Sequence, residues 1–177
     1  YFLYYIIFYA MRWRKVCAMN LSKAGYVPTR APKQLGDFGE FFVNFILNQK
    51  EYEIAHVDHV GADLIAEKSG AIYAISVKTR KFKKDSKESR MYTIEQGHLD
   101  NLKYFAEKFK MVAVLVIVIA IEDEKKLEAF IVKVKDIEKQ KDLFSKVKNG
   151  YSFNFGVKNR KGIDVRNSVY IDYTLFK

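Results

Sequence analysis

Two short stretches, Gly61-Ala62-Asp63-Leu64-Ile65-Ala66 and Tyr73-Ala74-Ile75-Ser76-Val77-Lys78-Thr79-Arg80, set one carboxylate and one ammonium among apolar neighbours, on either side of the turn pair Ser69-Gly70. A carboxylate is a hard oxygen ligand for a divalent cation, and a lysine is a compact charge that can orient or help deprotonate a water. With Ser69-Gly70 as a two-residue hairpin loop, Lys68 faces Ala71, Asp63 faces Ser76, and Lys78 lies two residues along on the same side. Opposed Cβ atoms are about 4.5 to 5.5 Å apart and diagonal ones about 7 to 8 Å, so the three side chains make one polar cluster. A four-residue loop keeps this register, whereas a bulged three-residue loop turns Asp63 to the other face. The competing reading is a surface salt bridge, worth about 0 to 1 kcal/mol.

The wording of these stretches resembles the PD-(D/E)XK nuclease superfamily, and within it the archaeal Holliday junction resolvases. The resemblance takes in Gly39-Glu40 and Glu95-Gln96 and spans residues 35–121, about half of the chain. It implies an α/β, restriction-endonuclease-like core and a metal-dependent DNA endonuclease that is structure-selective or non-specific. It further implies that Asp63 and a second acid hold Mg²⁺, with Mn²⁺ as a substitute, and that Lys78 stands near the attacking water. A metal so held acidifies water and stabilises charge developing on phosphate. Because resolvase relatives cut two strands symmetrically, a homodimer is the implied assembly.

The sequence departs from the pattern at Ser76, where most members carry Glu or Asp. A hydroxyl is a weaker ligand and brings no charge. Three readings compete: a relocated carboxylate, a DNA-binding module of the same fold that does not cut, or a substitution peculiar to this chain. Some restriction endonucleases of the superfamily have Ser here and supply the acid from the following helix. That acid would be Glu95, on a stripe with Leu99, Leu102 and Ala106 and so expected to face the sheet. Glu40 resembles the superfamily's first-helix acid, yet on a helical wheel it lies opposite the Phe38, Phe42, Phe45 stripe. Thr93 with Gln96 also has the form of a capping box, and Glu95 in a first turn complements the helix dipole, which would make both structural. His56 and His59, three apart on a strand, are expected to point to opposite faces and do not read as a metal pair.

These side chains must be positioned by a small set of elements. After a loop around Pro28 and Pro32, Leu35 to Asn48 carries Phe38, Phe41, Phe42, Phe45 and Ile46 at helical spacing. Tyr52 to Asp58, Ala62 to Lys68 and Ala71 to Lys78 read as a three-strand antiparallel meander. Thr79 to Tyr92 is polar and basic and reads as a mobile surface loop, after which Thr93 opens a second helix ending near Lys110. Met111 to Ile121 is a continuous apolar run, expected as the central strand covered on both faces. Leu127 to Lys135 reads as a further strand, Asp136 to Val147 as a short helix, and 169–175 as a last strand. This organises the chain as an extension and loop (1–34), a nuclease-like core (35–147) and a C-terminal extension of the same domain (148–177).

The 177 residues carry a formal net charge of +10, which favours an anionic partner, with DNA expected from the resemblance. Arg80, Lys81, Lys83, Lys84, Lys87 and Arg90 gather positive charge in and after the third strand, as a phosphate-tracking loop would, and Lys158, Arg160 and Lys161 make a smaller patch. A solvated lysine-rich loop is the alternative. The single cysteine, Cys17, rules out an internal disulfide framework and fits a reducing, cytoplasmic setting. Tyr1 to Ala10 is apolar but shorter than the roughly 20 residues that span a bilayer, and its basic residues follow it, unlike a signal peptide. Met11 and Met19 follow closely, and the segment is read as an adjunct packing on the domain or a partner chain, with membrane contact through residues 1–10 not expected.

Overall fold

The computed structural model describes residues 30–82, 91–122 and 124–154, together with the backbone of 168–174. The chain divides into two compact units, 1–31 and 32–177, and the description below is of the second. The apolar segment 1–10, the basic residues of 83–90 and the 158–161 patch lie outside the described residues.

Helix α1 (Ala31–Asn48) begins at Ala31, earlier than the expected Leu35. Pro32 sits in its first turn, where a backbone N–H has no intrahelical partner to lose. Its buried residues are Gly39, Phe42, Val43, Ile46 and Leu47, while Phe38 and Phe41 are 40% and 66% exposed. The buried face is therefore rotated from the expected aromatic stripe by roughly a quarter of a turn. Close packing explains some of the rotation: a Cβ on Gly39 would lie 1.8 Å from Thr79 Oγ1, so the helix meets the sheet through its glycine.

Strands β1 (Glu53–His59), β2 (Ala62–Lys68) and β3 (Ala71–Phe82) form the expected antiparallel meander. Ser69 and Gly70 have φ of 53° and 81°, the signature of a type I′ two-residue turn, and the Gly70 N–H donates to Glu67 Oε1 at 2.6 Å. Lys68 accordingly faces Ala71, and the same register runs to Leu64 opposite Ile75. β3 extends past the expected Lys78 to Phe82 because it pairs in parallel with β5 (Val112–Ile121), from Tyr73–Val112 to Phe82–Ile121.

A parallel pair needs a crossover, supplied here by β4 (Met91–Glu95) and helix α2 (Gln96–Lys108). The expected helix start at Thr93 is corrected: β4 pairs with β8 (Gly150–Asn154), Thr93 opposite Ser152 and Glu95 opposite Gly150. No Thr93–Gln96 capping box forms, since Glu95 is the N-cap and makes no side-chain cap bond. Gly150 has φ 140°, and a Cβ there would sit 2.0 Å from the Ile94 carbonyl oxygen, so glycine is required for this pairing.

β6 (Lys126–Lys133) follows antiparallel to β5. The expected helix over 136–147 is instead a 3₁₀ turn (Val134–Lys139) and β7 (Phe144–Val147), which pairs with β8. β9 (Ser168–Thr174) joins the main sheet beside β6. The main sheet has the order β1-β2-β3-β5-β6-β9, and β4-β8-β7 make a second, smaller one.

β5 is covered on both faces, as its unbroken apolar run requires. Val114, Val116 and Val118 pack with α1 and with Leu64, Ala66, Ile75 and Val77. Leu115, Ile117 and Ile119 pack with Leu99, Leu102, Phe105 and Ala106 of α2 and with Phe130 and Phe153. Each such fully buried side chain contributes about 1.5 to 3 kcal/mol relative to exposure, which makes this strand the fixed frame against which β3 is held.

Candidate active site

Beyond the Leu64–Ile75 pair the β2–β3 ladder stops, although both strands continue. The Asp63 carboxylate enters the gap and accepts the Val77 N–H at Oδ2, 2.6 Å away. The register expected from the turn therefore holds, but the strands separate just before they would pair Asp63 with Ser76.

On its other side, Asp63 meets an irregularity in β1. His56 lies opposite Leu64 and His59 opposite Ala62, so Val57 and Asp58 together oppose the single residue Asp63. Two residues against one is a β-bulge, a device that bends a strand and re-aims its side chains. Both neighbours of Asp63 thus depart from regular pairing at the same level of the sheet.

A cavity of about 480 Å³ opens there, lined by Lys33, Asp37 and Glu40 of α1, His56, Val57, Asp58 and His59 of β1, and Asp63. Lys33, Asp37 and Glu40 are spaced four and three residues apart and fall on one helical stripe. Because the buried face of α1 is rotated, Glu40 flanks it instead of lying opposite, and is half-buried. Burial first, then the negative charges of Asp63 and Asp37, hold the Glu40 carboxyl above its ordinary value, while the Lys78 ammonium draws it down. Glu40, Asp63 and Lys78 therefore share one electrostatic field. Ser76 is buried at 9% exposure and Lys78 is half-buried.

Glu95 does not face the sheet with Leu99 and Leu102. It ends β4, its side chain is 73% exposed, and it pairs with His98 of α2 at 3.7 Å. The cause is the strand pairing of β4, which delays the helix and changes the phase of residue 95. Gln96 donates to Asp100 Oδ1 at 2.8 Å, again within α2. Of the basic residues, Arg80 stacks on Tyr92 at 3.8 Å and donates to the Thr79 carbonyl, and Lys81 pairs with Glu122 at 2.5 Å. Lys83, Lys84, Lys87 and Arg90 lie outside the described residues.

His56 and His59 both line the cavity, and their rings point to opposite faces as expected: His56 meets Phe41 and Asn44 of α1, whereas His59 packs against Phe105 of α2. Asp37, Asp58 and Lys33 were not singled out from sequence, although the four-then-three spacing of Lys33, Asp37 and Glu40 was there to be read.

Among the described residues no cluster of three or more His, Cys, Asp or Glu side chains is arranged to hold a metal ion. What the site offers is two carboxylates in one field, Asp63 and a Glu40 disfavoured as an anion by its surroundings. That donor set fits Mg²⁺, which is commonly held by one or two carboxylates and keeps several waters. No helix among the described residues is long and apolar enough to cross a membrane.

No protein-family model matches this sequence, and no curated protein matches it. Among solved structures, the chain is similar to Hjc of Archaeoglobus fulgidus, a Holliday junction resolvase from an archaeal hyperthermophile. Identity is 14% and the TM-score 0.49, over 68% of this chain and 84% of that one.

Proposed function

We propose that this chain is a Mg²⁺-dependent endonuclease acting on DNA, in which Asp63 and Glu40 hold the metal and Lys78 positions the attacking water. The observation that carries the reading is the convergence of Glu40 on Asp63: a half-buried carboxyl pushed toward its acid form by burial and by two neighbouring carboxylates. A divalent cation reverses each of those penalties at once.

The charge distribution supports a phosphate-bearing substrate reached through a cation. The whole chain is basic at +10, which draws a polyanion to it, yet among the described residues the cavity sets Asp37, Glu40, Asp58 and Asp63 against the ammonium of Lys33, with Lys78 near enough to act on Glu40. A phosphodiester is repelled from such a pocket unless positive charge intervenes. When bound, Mg²⁺ supplies that charge and lowers the pKa of a water. Asp63, fixed by the Val77 N–H, keeps one oxygen held and the other free to ligate. Lys78, on β3 beside the splay, provides a point charge toward the water and the phosphate. Glu40 takes the role that Ser76 leaves open, and Glu95 is not required.

A second reading, a DNA-binding module of the same fold that does not cut, draws on Ser76 and on the pair of acids where three would make a fuller ligand set. Incubating the chain with linear and branched DNA in Mg²⁺ and in Mn²⁺ separates the two. Nicking that disappears in Asp63→Asn supports the nuclease, and binding without any cleavage in either metal supports the module.

A further inference from the structure

We infer that His59 donates a hydrogen bond from Nε2 to a phosphate oxygen of the DNA strand in this site, and so is a substrate-binding residue; the identity of the ligand rests on the nuclease reading. His59 follows the bulge opposite Asp63 and is among the residues that line the cavity with Glu40 and Asp63. The Gly61 N–H donates to His59 Nδ1 at 3.0 Å, so a neutral ring carries its proton on Nε2.

The ring is held as well as oriented. Phe105 of α2 packs against it, the rings tilted by 46° at a centroid distance of 4.6 Å. Gly61 allows that approach, because a Cβ there would lie 2.7 Å from the Asn101 carbonyl oxygen and 2.8 Å from Phe105 Cβ. His56 differs: its Nε2 is engaged by the Asn44 amide at 2.7 Å and its ring leans on Phe41. Among the described residues, none takes the Nε2–H of His59, although the cavity is rich in carboxylates. The remaining charged lining groups are acceptors or the flexible ammonium of Lys33, so His59 is the directional donor fixed in place before an anion arrives.

The test uses the full chain in Ca²⁺. The His59 Nε2 resonance, identified by its loss in His59→Ala, is followed while a DNA duplex or inorganic phosphate is added, and duplex affinity is measured in parallel. The inference expects the duplex to shift the resonance, His59→Ala to weaken duplex binding by about tenfold or more, and His59→Gln to recover most of the loss. A shift with phosphate but none with the duplex overturns the assignment to DNA. No shift with either, with wild-type affinity in His59→Ala, overturns the inference entirely. Should His59→Ala fail to fold, the resonance is assigned by its loss in His59→Gln, and its shift in the native chain decides. Failure of the nuclease reading looks different: no cleavage, but an intact shift and affinity difference.

Discussion

The Asp63 carboxylate accepts the Val77 N–H at 2.6 Å where β2 and β3 separate, so one side chain both closes the end of a β-ladder and faces the cavity. The two roles can be divided by substitution. Asp63→Asn keeps an acceptor for Val77 and should hold nearly the native melting temperature, whereas Asp63→Ala strands a backbone donor and costs about 1 to 3 kcal/mol. Both should lose at least about a hundredfold in cleavage. Thermal melts beside the nicking assay check this, and equal melting losses in both variants would contradict the hydrogen-bond role.

Glu40 gives a pH-dependent prediction. Its carboxyl is raised in the folded chain, by burial first and then by Asp63 and Asp37. A raised group contributes stability that is present below its unfolded value and is lost as pH rises through its folded value. In chelator, Glu40→Gln should therefore gain on the native chain as pH rises from about 4 to about 7. Adding Mg²⁺ at neutral pH should stabilise the native chain and not the variant. Melting curves across that range report it.

Glu95 and Ser76 should matter little to the chemistry. Among the described residues Glu95 pairs with the exposed His98 side chain, an interaction worth about 0 to 1 kcal/mol. Glu95→Ala and Ser76→Ala should each retain cleavage within roughly threefold of native, compared as kcat/KM.

Gly39→Ala should destabilise the fold by about 1 to 3 kcal/mol, because its new methyl meets Thr79 Oγ1 at 1.8 Å. Adding Thr79→Ala should restore some of the loss, and denaturant titration measures both. An additive double variant would place the strain elsewhere.

What was legible in the sequence was local or periodic. Ser69-Gly70 named its own turn, the turn set the register of Asp63 against β3, and the apolar run of β5 announced a strand buried on both faces. What was not legible depended on partners distant along the chain. Met91 to Glu95 became a strand only because β8 lies beside it, which moved Glu95 out of the site. Phe38 and Phe41 outweighed Gly39 and Val43 on a helical wheel, yet the contact with Thr79 selected the smaller residues and so brought Glu40 to the rim of the buried face. The bulge opposite Asp63 has no glycine or proline within it to mark it, so nothing local announces where β1 leaves regular pairing.

The claim that Asp63 and Glu40 together hold the metal is tested most directly by calorimetric titration of Mn²⁺ into the native chain, Asp63→Asn, Glu40→Gln and Glu95→Ala. The account predicts a saturable site in the native chain and in Glu95→Ala that is lost in the other two. A site that survives Glu40→Gln and disappears in Glu95→Ala would contradict it.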